Sequence, residues 1–418
     1  MMTLDLPHGW EAKSMLRLSK QIFDYRGRTP KKLGMDWGGG DIPALSAGNV
    51  KMGFIDWSAE CYFGSEGLYR KWMTQGRPSK DDILFTTEAP LGNVALVPDD
   101  RRYILSQRTI LLQIDPLQAR SKFVAQMMSS EAFQRMLADY SSGSTAKGIQ
   151  RRKFERLEIA VPPLDEQKSI ETALSDVDSL LAALDRLIAK KRDLKQAAMQ
   201  QLLTGQTRLP GFRSVWEATT LIQLAEGKKE LFDDGDWIES EHIVDRGIRL
   251  IQTGNIGVGR FLDKGDKKYI SESSFKLLRC KELHRGDLLI CRLADPAGRA
   301  CVLPDIGEQK VVTSVDVTIF RPSEERANRD FFAHLFSTPE WFIAVENRSG
   351  GTTHKRIARG ALGKISICIP PVEEQSAISA VLSGMEAELA SLETRRDKTR
   401  ALKQAMMQEL LTGRVRLI

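Results

Sequence analysis

Two basic, glycine-containing segments are the places where this chain could meet a polyanion. SSGSTAKGIQRRK (residues 141–153) and NRSGGTTHKRIAR (residues 347–359) each combine glycine with hydroxyls and several cations. Glycine lets backbone amides approach phosphates, while Ser, Thr, Lys and Arg can bond phosphate oxygens or base edges. The side chains placed to do so are Ser144, Thr145, Lys147, Gln150, Arg151 and Arg152 in the first segment. In the second they are Arg348, Thr352, Thr353, His354, Lys355, Arg356 and Arg359. A solvated basic turn would use the same residues, and recurrence at the same place in two parts of the chain brings a nucleic-acid contact level with that reading. Residues of the same types elsewhere are Lys31, Lys32, Asn49, Arg101, Arg102, Gln107 and Arg108, then Arg249, Gln252, Asn255, Arg260, Arg292 and Arg299.

Catalytic chemistry finds much less support. The sequence has no Walker A loop, G-x-G-x-x-G, H-E-x-x-H or G-x-S-x-G motif, and no His or Cys grouping with zinc spacing. The five histidines, His8, His242, His284, His334 and His354, stand alone. PDIGEQK (residues 304–310) carries an acid followed by E-x-K, as metal-dependent nucleases do, but its acids are too close in sequence to come from two strands. No catalytic residue and no metal ligand is therefore expected. The odd count of five cysteines, without a C-x-x-C pair, argues against a disulfide framework and for buried free thiols.

Composition is that of an ordinary globular protein: 418 residues, 42% hydrophobic and 28% charged. A net charge of +6 suits a polyanionic partner without demanding one. No apolar run reaches membrane-spanning length, and the first residues lack a basic region followed by an apolar core. A cytoplasmic protein, away from any membrane, is the expectation.

The elements that must position these residues are duplicated. Residues 159–209 and 367–417 align without a gap, and roughly half of the aligned positions are identical. Each copy has a Pro-Pro pair (Pro162, Pro163; Pro370, Pro371) after a strand-like run, then an acidic first turn suited to a helix N-terminus. Apolar residues follow in alternating steps of four and three: Ile170, Leu174, Val177, Leu181, Leu184 and Ile188, then Ile378, Leu382, Met385, Leu389 and Leu392. That spacing is a coiled-coil seam. The next heptad positions are Lys191 and Lys195, so the seam is expected to slip and resume through Leu194, Ala198 and Leu202, with Arg396 marking the same slip in the second copy. Thr-Gly pairs (Gly205, Gly413) signal the helix ends. Each helix spans roughly 38 residues, on the order of 55 Å.

Sheet-rich segments precede both helices, and they too are related. IPALSAGN (residues 42–49) matches IRLIQTGN (residues 248–255), and DDILFTTEAPLGNVALVPDD (residues 81–100) parallels GDLLICRLADPAGRACVLPDI (residues 286–306). A helix is expected over residues 121–140, with its counterpart over 328–346. The fold class is α+β, with two pseudo-symmetric sheet-rich domains alternating with two long helices that form an antiparallel coiled coil. The boundaries read as 1–158 and 209–366 for the domains, and 159–208 and 367–418 for the helical spacers.

These features resemble the specificity subunit of type I restriction-modification systems. The resemblance is carried by I-A-V-P-P-L-D-E-Q and I-C-I-P-P-V-E-E-Q at the helix starts, LKQAAMQQLLTG and LKQAMMQELLTG at their ends, the Gly-Asn turns, and the Trp-Glu pairs that open the domains. It covers essentially the whole chain. It implies a non-catalytic DNA-binding subunit whose two target recognition domains read the halves of a bipartite, asymmetric site in double-stranded DNA, with the helices fixing the unread gap. It also implies docking of two modification subunits, which bring S-adenosylmethionine and adenine methylation, and of restriction subunits that use ATP and Mg2+. Helix-face residues Lys190, Lys191, Arg192, Lys195 and Gln196, with Lys398, Arg400, Lys403 and Gln404, are candidates for that docking. The equivalent subunit of a combined cutting-and-methylating system would read alike, and a coiled-coil protein-protein adaptor is the reading from another class.

Overall fold

A computed structural model describes residues 6–141, 147–293, 296–351 and 355–417. Its contacts divide into two units, one of residues 1–185 with 394–418 and one of residues 186–393. Each unit holds one sheet-rich domain, the first half of one long helix and the second half of the other. The two long helices are Leu164–Leu202 and Val372–Leu410, both 39 residues. The chain is mixed α and β, as the fold class anticipates.

In the first unit, strand Glu11–Ser14 pairs antiparallel with Glu158–Val161, so the start of the domain lies beside the strand that leads into the helix. A four-stranded antiparallel sheet follows in the order Ser19–Asp24, Thr109–Ile114, Ile83–Thr87, Leu91–Leu96. One face packs on helices Ser121–Ser129 and Glu131–Tyr140 through Ile83, Phe85, Ile110, Leu112, Phe123, Val124 and Phe133. Alternation along the strands sends Leu84, Leu111 and Phe23 to the other face, where they pack with Trp72, Ile104 and Leu105. The second unit repeats the plan. Glu217–Thr220 pairs with Ser366–Ile369, and the main sheet runs Phe232–Asp234, Val317–Phe320, Leu288–Cys291, Ala300–Val302. A second mixed sheet there adds Ile243–Val244, Lys268–Ile270, Ile248–Ile251 and Val311–Thr313.

Two local expectations change. The helix expected over residues 121–140 is two helices, because Ser130 adopts extended dihedrals and its hydroxyl accepts from the Phe133 amide, starting a new helix. Its counterpart breaks at Thr338, which caps Trp341 ahead of Pro339. The seam also does not slip. In the first helix Lys191 and Lys195 occupy the next heptad positions, half-buried, while Leu194 is 47% exposed. Arg396, Thr399 and Lys403 continue the second helix in the same way, and Thr399 is 9% exposed. Polar residues interrupt the composition of the seam and leave its register unbroken.

Those polar layers carry charge pairs that show the helices antiparallel inside each unit. In the second unit Lys191 pairs with Glu388 at 2.7 Å, and Lys195 with Glu386. In the first, Lys403 pairs with Asp178 at 2.5 Å, and Arg396 lies 3.9 Å from Asp185. Lys191, Lys195 and Lys403 are therefore committed to the helix pair, which corrects their assignment to a docking face.

The helix starts are bolted down by the duplicated Glu-Gln. Glu166 is 5% exposed; it receives two hydrogen bonds from Arg416, at 2.5 and 2.7 Å, and one from the Trp10 indole at 3.1 Å. Glu374 receives the same bidentate contact from Arg208, at 2.6 and 2.5 Å, and Arg208 lies over Trp216 as Arg416 lies over Trp10. A buried carboxylate is tolerated only when paired this fully. Gln167 and Gln375 meanwhile donate to Pro162 and Pro370 and accept from the Arg120 and Asn328 amides, so each helix start is tied to the domain's own helices. Gly205 and Gly413 take left-handed dihedrals, φ +71° and +70°, which turn the chain and deliver Arg208 and Arg416 to their partners.

Candidate nucleic-acid interface

The two basic segments occupy the same structural place. In the first unit the Ile149 amide bonds the Thr87 carbonyl at 3.0 Å and Gly148 bridges Glu88. In the second, the Ile357 amide bonds the Arg292 carbonyl at 3.0 Å and Arg356 bridges Leu293. Each segment is thus laced to the last residue, or the one just past it, of a central sheet strand. A third piece arrives from the turn before the neighbouring strand: the Thr87 amide bonds the Arg108 carbonyl, and the Arg292 amide bonds the Asp316 carbonyl. Strand register makes Arg108 and Asp316 equivalent, since Thr109 pairs with Thr86 and Val317 with Cys291.

The candidate side chains separate by what they touch. Lys31, Gln107, Lys147, Gln150, Arg152 and Arg260 are exposed and make no side-chain hydrogen bond or ion pair to another described residue. Lys32 is exposed and reaches the Gly27 carbonyl. Arg101 pairs with Asp99 and lies over Trp57, Arg102 pairs with Glu66, and Arg108 is 3.3 Å from Glu88. Arg151 bonds Glu155 and the Ile22 carbonyl. Arg348 reaches the Ala344 carbonyl, Lys355 pairs with Glu346, Arg356 is 2.8 Å from Asp316, and Arg359 pairs with Asp233. Ser144, Thr145, Thr352, Thr353 and His354 lie outside the described residues.

Five candidates have an internal job instead. Asn49 and Asn255 are buried and accept from the Ser46 and Gln252 amides, holding equivalent turns. Arg249, 1% exposed, bonds the Lys268 carbonyl, pairs with Asp263 and lies over Tyr269. Arg292, 3% exposed, donates to the Ile357 and Val315 carbonyls and lies beside Asp234, and burial pushes its pKa below the usual guanidinium range. Arg299 binds four carbonyls, those of Ile256, Leu293, Pro296 and Thr253. These groups shape the loops; the loops present other residues. Gln252 lies half-buried in the wall of a cavity.

In the segment with nuclease-like spacing, Asp305 is 3.9 Å from Arg285, and Glu308 accepts from the Tyr269 hydroxyl. Among the described residues no group of three or more His, Cys, Asp or Glu is arranged to hold a metal ion. The thiols of Cys280, Cys291 and Cys301 are buried, with burial pushing Cys280 up to about 11 and Cys301 up to about 12. Cys61 is half-buried and Cys368 exposed, against the expectation that all five would be buried.

The family model described as the type I restriction modification DNA specificity domain matches residues 9–191 and 246–399. The chain belongs to the family of type I restriction-modification specificity subunits. The Methanocaldococcus jannaschii MjaVIII specificity subunit is 22% identical over 67% of this chain and 67% of its own length. The Escherichia coli EcoKI specificity subunit is 24% identical over 62% and 57% respectively. Among solved structures, the HsdS subunit of Thermoanaerobacter tengcongensis superimposes with a TM-score of 0.53 at 19% identity, over 98% of both chains. A chain from a study of type I restriction-modification complex assembly gives 0.60 at 20% identity, over 98% of this chain and 99% of that one. These likenesses extend the fold over nearly the full length. This specificity subunit contains no helix long and apolar enough to cross a membrane among its described residues.

Sequence reasoning missed two sets of residues. The Glu166–Arg416–Trp10 and Glu374–Arg208–Trp216 clamps were signalled by Arg and Trp recurring at fixed offsets in both halves. The cavity wall formed by Trp237 and Asp316 had no such signal, because it lies where the domains differ.

Proposed function

We propose that this specificity subunit reads a two-part, asymmetric site in double-stranded DNA, one half with each domain. Two modification subunits and restriction subunits would dock on it and bring S-adenosylmethionine, ATP and Mg2+; this chain itself would methylate and cut nothing. The observation that carries the reading is the repeated placement of a basic loop on the end of a central strand, with different side chains presented in the two copies. Equivalent frames with unlike surfaces suit unlike half-sites. Docking finds support in the first helix, where Leu180, Leu187 and Leu194 are 40%, 40% and 47% exposed at seven-residue intervals, outside the seam. The site of action would be the cytoplasm, where the DNA is.

Long-read mapping of adenine methylation, in a host with and without the gene, tests this. A two-part motif that vanishes on deletion is expected. An unchanged methylome in a host whose modification subunits are expressed would overturn the reading, and co-purifying proteins would then address the adaptor alternative.

A further inference from the structure

The second domain contains a cavity of about 440 Å3 beside its basic loop, within the size range of ligand sites. Trp237, Gln252, Lys264, Lys268, Ser314 and Asp316 are among the residues lining it. Trp237 is 66% exposed, and its indole nitrogen donates to Glu239 at 2.9 Å, leaving the ring available for stacking. Asp316 is ion-paired with Arg356 at 2.8 Å, and among the described residues its buried carboxylate oxygen Oδ1 has no hydrogen-bond partner. Asp236, also in the wall, is already occupied by the Lys281 amide and ammonium. A carboxylate held by an ion pair without a hydrogen bond keeps lone pairs for a ligand that donates.

The first domain defines what kind of ligand that is. Asp316 is the structural equivalent of Arg108, an acceptor in one reader where the other has a donor. In the major groove guanine offers the acceptors O6 and N7 and thymine the acceptor O4, whereas adenine N6 and cytosine N4 offer donors. A carboxylate can only accept. Resting on the two-reader function above, we propose that this cavity takes the edge of an amino-bearing base, adenine or cytosine, from the half-site of the second domain. The Asp316 carboxylate accepts from the exocyclic amine, the Trp237 ring packs against the base plane, and Lys264 and Lys268 offset the adjoining phosphates. The opposite charge at Arg108 and Asp316 then makes the same position of the fold select different bases in the two halves.

The test expresses the subunit with its modification partners, as wild type, Asp316→Asn or Trp237→Ala, in a host lacking other adenine methylases, and reads the methylome. With Asp316→Asn, whose amide can donate as well as accept, one adenine or cytosine position of the second half-site should relax, while the first half-site stays fixed. Trp237→Ala, at an exposed position that does not endanger folding, should lower methylation of the whole motif at least tenfold or relax that same position. An unaltered second half-site at undiminished methylation in Trp237→Ala overturns the proposal even where Asp316→Asn fails to fold. Absence of any two-part motif with the wild-type complex would overturn the DNA reading itself, a different failure.

Discussion

A surface arginine and a buried one are the same letter in a sequence, and most of what was illegible here follows from that. Arg249, Arg292 and Arg299 are residue types that read guanine, yet they spend their donors on backbone carbonyls and neighbouring carboxylates. The Glu166 clamp has the opposite history: an acidic first turn promised only a favourable helix dipole, worth little at a surface, and the structure places that carboxylate under Trp10 and Arg416. Glu166→Ala should therefore cost about 1–3 kcal/mol, because it strands the Trp10 indole N–H and the guanidinium together. Glu166→Gln, which still accepts, should recover part of it. Removing Glu393, 37% exposed and paired with Arg192, should cost under about 1 kcal/mol. Thermal unfolding of the three variants checks the order; equal losses at Glu166 and Glu393 would deny the clamp its role.

At the scale of the helix, periodicity was legible and its interruption was misread. Heptad spacing alone located Ile170, Leu174, Leu184, Ile188, Ile378 and Leu382, all buried in the structure. Lysines at the following heptad positions looked like a slip because a seam is expected to be apolar. Lys195 instead stays in register by pairing with Glu386, while buried His334 stands 3.9 Å from the same carboxylate. Such layers fix register at some expense of stability. Leu382→Ala, at a fully buried position, should lose about 2–5 kcal/mol. Lys195→Leu should leave stability unchanged or raised, with Glu386 still facing His334. Chemical denaturation measures both, and a larger loss at Lys195 than at Leu382 would show that the charged layer, and not the apolar one, holds the helices together.

For the whole chain, duplication was the legible fact, and it fixed the order of elements and the fold class before any coordinate was needed. What it could not disclose was the surface each copy presents, since Arg108 and Asp316 share a position and differ in charge. The same duplication permits a test of whether the helices space the two domains proposed to read the half-sites. Residues 184–190 of the first helix correspond to residues 392–398 of the second, and each set is one heptad. Removing both sets preserves the seam register on either side, because seven residues return the same face of the helix. At about 1.5 Å per residue each helix shortens by about 10.5 Å, close to three base pairs of about 3.4 Å. In the two-part motif read from the methylome, the unread gap should shrink by about three base pairs, with both half-sites unchanged. An unchanged gap would mean that the helices do not measure the distance. A changed half-site would mean that the readers themselves had been disturbed, which the clamps at Glu166 and Glu374, outside the excised stretch, are placed to prevent.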